Sequence, residues 1–391
     1  MRVDKSKWRK FKIADVFRLE MGKTPSRKEL SLWENGTIPW VSISDMGQSD
    51  NIKCTKEMLS LDTITKCNIP IVPVGVVIMS FKLSIGKTAI ANTPLTTNEA
   101  IMAFYPKETN FIFNRFLLYL LRNLNWKGNR AVKGITINKK IISKKSILIP
   151  PYSEQQGIAS ELDAIQEVID GYKAQLADLD ALAQSIFLDM FGDVAINNQS
   201  WDIIPMGQLG DFKNGLNYNK GEKGKTLKII GVGDFQNLKA ITLFDDIPSI
   251  EVESISQEYL LQNEDIVFVR SNGNKNLVGR CLEVYPNKEE VTFSGFCIRF
   301  RKSTDIVNKY LVALLTDTGF KKTHILKSNG IGIQNINQKL LGNLPIPVPP
   351  IDLQKRFAMQ VKTIERQKEL IRQQLADAEQ LMAERMQYYF S

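Results

Sequence analysis

The sequence predicts an α+β protein: two pseudo-symmetric, β-rich mixed α/β globules separated by an antiparallel two-helix coiled coil. Three observations carry this expectation. The 391-residue chain repeats itself; each copy opens with short β-rich runs closed by one helical run; each copy ends in a long stretch whose apolar residues alternate at spacings of four and three.

The repeat is read by offset. Trp8 opens "WRKFKIADVFRLEMGKT" and Trp201, 193 positions on, opens "WDIIPMGQLGDFKNGLN"; the same offset carries Gly86 onto Gly279. Further along, "INKKIISKKSILIPPYSEQQ" (137–156) lies over "INQKLLGNLPIPVPPIDLQK" (336–355) at an offset of 199, so copy two carries a six-residue insertion. The boundaries that follow are a first globule over 1–150, a first long helix over 151–193, a second globule over 200–349 and a second long helix over 350–391.

Within the globules, "TIPWVSI", "VVIMSF" and "EAIMAFYP" read as strands, matched in copy two by "LKIIGV", "EDIVFVR" and "GFCIRFR". "NRFLLYLLRN" and "NKYLVALLTD" read as one helix in each. The first long helix starts after Pro150-Pro151, whose rings bias the preceding backbone away from helix, and Ser153 with Gln156 fits a capping box. Its seam runs Ile158, Leu162, Ile165, Ile169, Tyr172, Leu176, Leu179, Ala183, Ile186, Met190. The second runs Phe357, Val361, Ile364, Lys368, Ile371, Leu375, Ala378, Met382, Arg385, Tyr389, with two charged interruptions. If these helices pack on each other, chain order makes them antiparallel, with a globule at each end and the C-terminus near the N-terminus. Thirty-nine residues span roughly 58 Å at about 1.5 Å per residue.

Composition narrows the function. A single histidine, His324, argues against imidazole-based catalysis and metal-dependent hydrolysis; in "KKTHILKSNG" it reads as a solvated loop or helix-end residue. Cys54, Cys67, Cys281 and Cys297 lie far apart, without a CxxC pair, and read as buried, reduced thiols; no metal site is expected. No apolar run is long enough for a membrane span, so a cytoplasmic protein without a membrane partner is expected. Residues 1–150 carry 25 Lys/Arg against 11 Asp/Glu, net +14, which calls for a polyanion, whereas 151–199 carry 1 against 9, net −8.

Three motifs invite a catalytic reading and fail. Ile149-Pro150-Pro151-Tyr152 is one letter from the Asn/Asp-Pro-Pro-aromatic signature of DNA amino-methyltransferases, but Ile149 cannot accept the hydrogen bond of a flipped base's amine, and "VPPI" in copy two lacks the aromatic. Gly-Lys-Thr at 22–24, 86–88 and 224–226 lacks the earlier P-loop glycine, having Phe17, Phe81 and Asn219 there. "GVGDFQ" (231–236) lacks the third glycine of a dinucleotide turn and reads as a strand-end turn. No catalytic residue and no cofactor of its own is expected.

Two globules alternating with two long helices, each helix introduced by "LIPPYSEQQ" or "IPVPPIDLQK" after an "IN", resemble the specificity (S) subunit of type I restriction-modification systems over essentially the whole chain. Copy two departs slightly, with Leu353 and Lys355 where copy one has Glu154 and Gln156, so its cap is weaker. The resemblance implies two target recognition domains, each reading half of a bipartite double-stranded DNA sequence, with helices that set the unread spacer. It also implies a non-catalytic chain that recruits two modification (M) subunits, which bind S-adenosylmethionine and methylate adenine N6. In the full complex, restriction (R) subunits hydrolyse ATP, translocate DNA and cut it.

Glycine-rich basic loops at corresponding places are the candidate DNA contacts. In copy one they hold Lys23, Arg27, Lys28, Lys82, Lys87, Lys127, Asn129, Arg130 and Lys133; in copy two, Lys220, Lys223, Lys225, Arg270, Asn272, Lys275, Arg280, Lys321, Lys322 and Lys327. The acidic first helix is expected to face M subunits or solvent. The alternatives are a stand-alone pseudo-dimeric sequence-specific DNA-binding regulator, a self-sufficient methyltransferase with degenerate motifs, and a coiled-coil scaffold, which the +14 segment speaks against.

Overall fold

A computed structural model describes residues 3–391 except 48, 127–128, 132–133, 219–222, 236–239, 273, 275–276 and 327–334. The chain forms two compact units: Met1–Lys173 with Gln373–Ser391, and Ala174–Arg372. Each therefore holds one globule and a part of each long helix.

In the first unit the strands are β1 (Arg9–Lys12), β2 (Phe17–Met21), β3 (Ile38–Val41), β4 (Asn51–Ile52), β5 (Glu57–Leu59), β6 (Val77–Ser80), β7 (Thr88–Ala91), β8 (Thr96–Thr97), β9 (Ile101–Pro106) and β10 (Ser146–Ile149). They form a five-stranded sheet in the order β2-β9-β6-β7-β4, a three-stranded sheet β5-β3-β8, and the pair β1-β10. In the second unit the strands are β11 (Asp202–Pro205), β12 (Gly210–Asn214), β13 (Lys225–Ile230), β14 (Ala240–Ile241), β15 (Ser249–Val252), β16 (Asp265–Val269), β17 (Cys281–Val284), β18 (Val291–Phe293), β19 (Cys297–Lys302) and β20 (Pro345–Val348). Their orders are β12-β19-β16-β17-β14, β15-β13-β18 and β11-β20, the same topology shifted by ten labels. Even the parallel pairs recur: β4 with β7 and β3 with β8, then β14 with β17 and β13 with β18. Copy one alone has a described hairpin between Asn129–Ala131 and Gly134–Thr136.

The large sheets are covered on both faces, which is why their strands read as continuous apolar runs. Alternate residues Val77, Met79, Met102 and Phe104 face one cluster, which includes Phe116, Leu117, Ile158 and Leu162. Ile78, Ala89, Ile101 and Ala103 face a second with Val41, Met46 and Leu95. The second unit divides likewise, Ile266, Phe268 and Phe300 to one side and Val267, Leu282 and Cys297 to the other.

The helices that frame the sheets are α1 (Asn114–Asn123), α2 (Lys139–Lys144), α3 (Tyr152–Phe191), α4 (Asn308–Thr316), α5 (Gln338–Gly342) and α6 (Ile351–Phe390). The repeated "IN" is an N-cap behind a buried isoleucine: Asn138 Oδ1 accepts from Ile141 N at 3.0 Å and Asn337 Oδ1 from Leu340 N at 2.8 Å. In the first unit the start of α3 packs on the end of α6, with Arg385 on Glu161 at 3.1 Å, Tyr389 Oη on Glu161 at 2.8 Å and Lys173 on Glu379 at 3.0 Å. Lys5 Nζ there donates to the carbonyl of Ser391 at 2.9 Å, so the two chain ends meet. In the second unit the end of α3 packs on the start of α6 through Phe187, Phe191 and Phe357, and Lys368 reaches Asp180 at 2.8 Å. The helices are antiparallel in both units. Along the seam Ile158, Leu162, Ile169, Phe357 and Ile364 are buried, and Ile165, Tyr172, Leu176, Leu179, Val361, Ile371 and Leu375 half-buried. Its two charged interruptions, Lys368 and Arg385, are the residues that find acids on α3.

Three expectations are corrected. Ser153 and Gln156 are both exposed and inside or beside the first helical turn, so no capping box forms; the buried neighbour Gln155, 1% exposed, holds the helix start instead. Cys281 and Cys297 are buried, with burial pushing both thiols up to about 12, but Cys54 is exposed and Cys67 half-buried. His324 is half-buried, not solvated: it packs on Phe320 and its Nε2 lies 3.0 Å from the Ala195 carbonyl.

Candidate nucleic-acid interface

The basic loops converge, in each unit separately, on one tight turn between the last short strand and the strand that follows it. In the first unit this turn is Asn98-Glu99-Ala100, between β8 and β9; in the second it is Ser294-Gly295-Phe296, between β18 and β19. The side chain at its first position accepts the N–H two residues on, Ala100 N to Asn98 Oδ1 at 3.0 Å and Phe296 N to Ser294 Oγ at 3.1 Å.

Three loops are sewn to that turn by the same backbone bonds. The loop after β2 enters through Gly22 N to Ile101 O (3.3 Å) and Lys23 N to Thr97 O (2.8 Å), and its counterpart through Gly215 N to Cys297 O (3.1 Å) and Leu216 N to Phe293 O (2.8 Å). The loop after β6 joins by Phe81 N to Ala100 O (2.9 Å), and that after β16 by Arg270 N to Phe296 O (2.8 Å). The segment before α2 joins by Ile137 N to Phe81 O (3.1 Å), and that before α5 by Ile336 N to Arg270 O (2.8 Å). Glycine is required at the entry: a Cβ on Gly22 would sit 1.9 Å from Thr97 O, and one on Gly215 2.0 Å from Ser294 O. At the end of the β6–β7 and β16–β17 turns, Gly86 (φ 86°) and Gly279 (φ 74°) take left-handed backbone that other residues resist.

At the other end of β9 and β19, the segment leading into the short helix is tied to the start of the long helix by a buried glutamine. Gln155 accepts from Phe113 N at 2.7 Å and donates to Phe111 O and Pro150 O; Gln354 accepts from Val307 N at 2.9 Å and donates to Pro349 O at 2.8 Å. Phe113 and Val307 are the N-cap residues of α1 and α4, neither of which has a side-chain cap of its own. A second tie comes from the next turn, where Arg115 on α1 meets Asp163 on α3, and Lys309 on α4 meets Glu365 on α6 at 3.1 Å.

The side chains on the two junctions differ. In the first, Thr24 hydrogen-bonds Glu99; partial burial pushes the Glu99 carboxyl up, but that bond and the nearby Lys82 and Arg27 charges hold it below its ordinary range. Arg27 forks onto Glu57, a bond that raises its pKa, and stacks 3.6 Å over the Trp33 ring. In the second, Phe296 stands 63% exposed where the first has Ala100 at 6%. Arg270 Nη1 lies 3.4 Å from the Gly295 carbonyl.

The sequence-derived candidates sort accordingly. Lys23 donates to the Cys67 carbonyl (2.6 Å), Lys87 to that of Met46 (3.1 Å), Lys225 to Glu290 (2.6 Å) and Arg280 to the Phe235 carbonyl (3.1 Å), so these and Arg27 are engaged in the fold. Lys28, Lys223 and Lys322 are exposed, while Lys82, Arg270, Asn272 and Lys321 are half-buried. Burial lowers the Lys321 pKa, and Arg280 adds to the effect. Asn272 Oδ1 accepts from Asn274 N at 2.7 Å. Asn129 and Arg130 lie on the first strand of the hairpin; Lys127, Lys133, Lys220, Lys275 and Lys327 lie outside the described residues. Charge counting missed Glu99 and Phe296, though laying "NEA" over "SGF" marks them as the positions that change inside a kept apolar frame. Among the described residues no group of three or more His, Cys, Asp or Glu could hold a metal, and no helix is long and apolar enough to cross a membrane.

A family model for the type I restriction modification DNA specificity domain matches twice, over residues 5–180 and 198–380. The chain is 25% identical over 281 residues to the type I restriction enzyme MjaIX specificity subunit of Methanocaldococcus jannaschii, covering 66% of itself and only 61% of that relative's length. It is 22% identical over 395 residues to the StySPI specificity subunit of Salmonella potsdam, covering 95% of itself and 85% of the relative. Among solved structures, the S subunit of a type I restriction-modification system from M. genitalium matches with a TM-score of 0.54 at 15% identity, over 99% of this chain and 97% of that one. At that identity the structural match bears on fold.

Proposed function

The chain belongs to the type I restriction-modification DNA specificity family, whose domain it carries twice, and from that premise we propose how it works. It is the sequence-specificity subunit of a type I restriction-modification complex and is itself non-catalytic. Each globule is a target recognition domain that reads one half of a bipartite site in double-stranded DNA. The long helices set the length of the unread spacer, each 40-residue helix rising about 60 Å at ~1.5 Å per residue. They also recruit two methyltransferase subunits, and restriction subunits complete the assembly.

One observation carries this reading: the two junctions share their backbone bonds and differ in the side chains they display. A fold that keeps its frame and varies its tip suits two readers of two different half-sites. The exposed Lys28, Lys223 and Lys322 supply phosphate contacts, whose loss should weaken binding to all sequences alike and flatten the salt dependence. The acid-rich α3 keeps its exposed carboxylates away from phosphate and toward methyltransferase subunits or solvent.

Co-purification with the methyltransferase subunit of the same locus, followed by DNA binding, tests the proposal. The complex should bind a bipartite sequence, and the chain alone should bind with weak specificity. Tight sequence-specific binding by the chain alone would identify a free-standing regulator, and calorimetric binding of S-adenosylmethionine to the isolated chain would identify an enzyme. Reversing the charge of several α3 acids should impair methyltransferase binding more than DNA affinity.

A further inference from the structure

We propose that Phe296 is a base-reading residue of the second recognition domain, its ring resting in the major groove against the 5-methyl group of a thymine. This rests on the reading above.

Three observations point there. First, Phe296 is 63% exposed, so its ring contributes little to the core. Its copy-one counterpart Ala100 keeps the backbone bonds without a ring, so the fold does not require one. Second, the residue is held at both ends: its N–H is bonded to Ser294 Oγ, and its carbonyl accepts from Arg270 N. A ring on a fixed backbone is pre-organised for contact. Third, its neighbours have the chemistry of base readers. Arg270 Nη1 lies against the Gly295 carbonyl, and the side-chain oxygen of Asn217 lies 2.0 Å from where a Gly295 Cβ would be. Guanidinium and amide groups read guanine and adenine edges, whereas an aromatic ring offers only apolar contact, which in the major groove means the thymine methyl.

The test uses the chain in complex with its methyltransferase subunit, as wild type, Phe296→Ala and Phe296→Leu. Methylated adenines are mapped genome-wide, and binding is measured on duplexes in which each thymine of the second half-site is replaced in turn by deoxyuridine. In the wild type one such replacement should weaken binding about 10-fold. In Phe296→Ala the same replacement should have no effect, and the mapped motif should relax at that one position while the first half-site is unchanged; Phe296→Leu should retain part of the preference. An unchanged motif in Phe296→Ala, or wild-type indifference to every deoxyuridine, as an intercalating wedge would give, overturns the proposal. Loss of the methyltransferase subunit from Phe296→Ala would also overturn it, by making the ring a protein contact. A wild-type complex with no bipartite motif would instead sink the functional reading itself.

Discussion

The two recognition domains have one skeleton and opposite tips. In the first, the junction closes on itself: Glu99 takes a bond from Thr24 and the charge of Lys82, and Arg27 is spent on Glu57 and Trp33. In the second, glycine stands at the acid's place, Arg270 reaches its carbonyl, and Phe296 beyond it is exposed. The two copies share the backbone bonds of the junction and the glycines those bonds require, and differ at positions whose side chains leave the frame. The positions that hold the frame are therefore separable, residue by residue, from those at which the two copies differ.

The strongest challenge to the shared skeleton is at the entry glycines. Gly22→Ala and Gly215→Ala each drive a Cβ into a backbone oxygen, which cannot yield as a side chain would. Each should destabilise its own unit by about 3 kcal/mol, measured as a shift in denaturant midpoint. A large cost at one and none at the other would end the equivalence. Next come the paired glutamines. Gln155→Ala and Gln354→Ala each strand a part-buried N–H at Phe113 or Val307 and a buried proline carbonyl, so losses of about 2 kcal/mol, similar in the two copies, are expected in the same assay.

The smallest expected effect sharpens the difference between the tips. Glu99 titrates below its ordinary value of 4.5 in the folded chain, so its contribution is complete above pH 4.5 and is lost as pH falls through the lowered value. The second domain has Gly295 there. Hydrogen exchange at the equivalent amides of Lys23 and Leu216 should diverge on acidification, Lys23 losing protection relative to Leu216, and Glu99→Gln should abolish the divergence.

Much of this architecture was legible because duplication and periodicity are properties of the letters. The strand runs, "NRFLLYLLRN" as α1, and the four-three stripe of the long helices all correspond to elements at those positions. The choice between Gln155 and Gln156 was not legible, since adjacent glutamines differ only in helical phase against a globule whose position the local sequence does not encode. Nor could a count of charges tell a reader from an anchor. Arg27 finds Glu57 thirty residues away and Lys23 finds a carbonyl at Cys67, partners set by tertiary folding. Phe296 was hidden inside "GFCIRFR", read as one apolar strand, because the turn that exposes it takes up the first two residues of that run and β19 starts only at Cys297.

Independent reading by the two domains is tested with a single hybrid. Residues 1–150 are exchanged for those of another family member, the hybrid is assembled with the methyltransferase subunit, and methylated adenines are mapped across the genome. One half of the recognised sequence should change, with the other half and the spacer length retained. A motif altered in both halves would contradict the account.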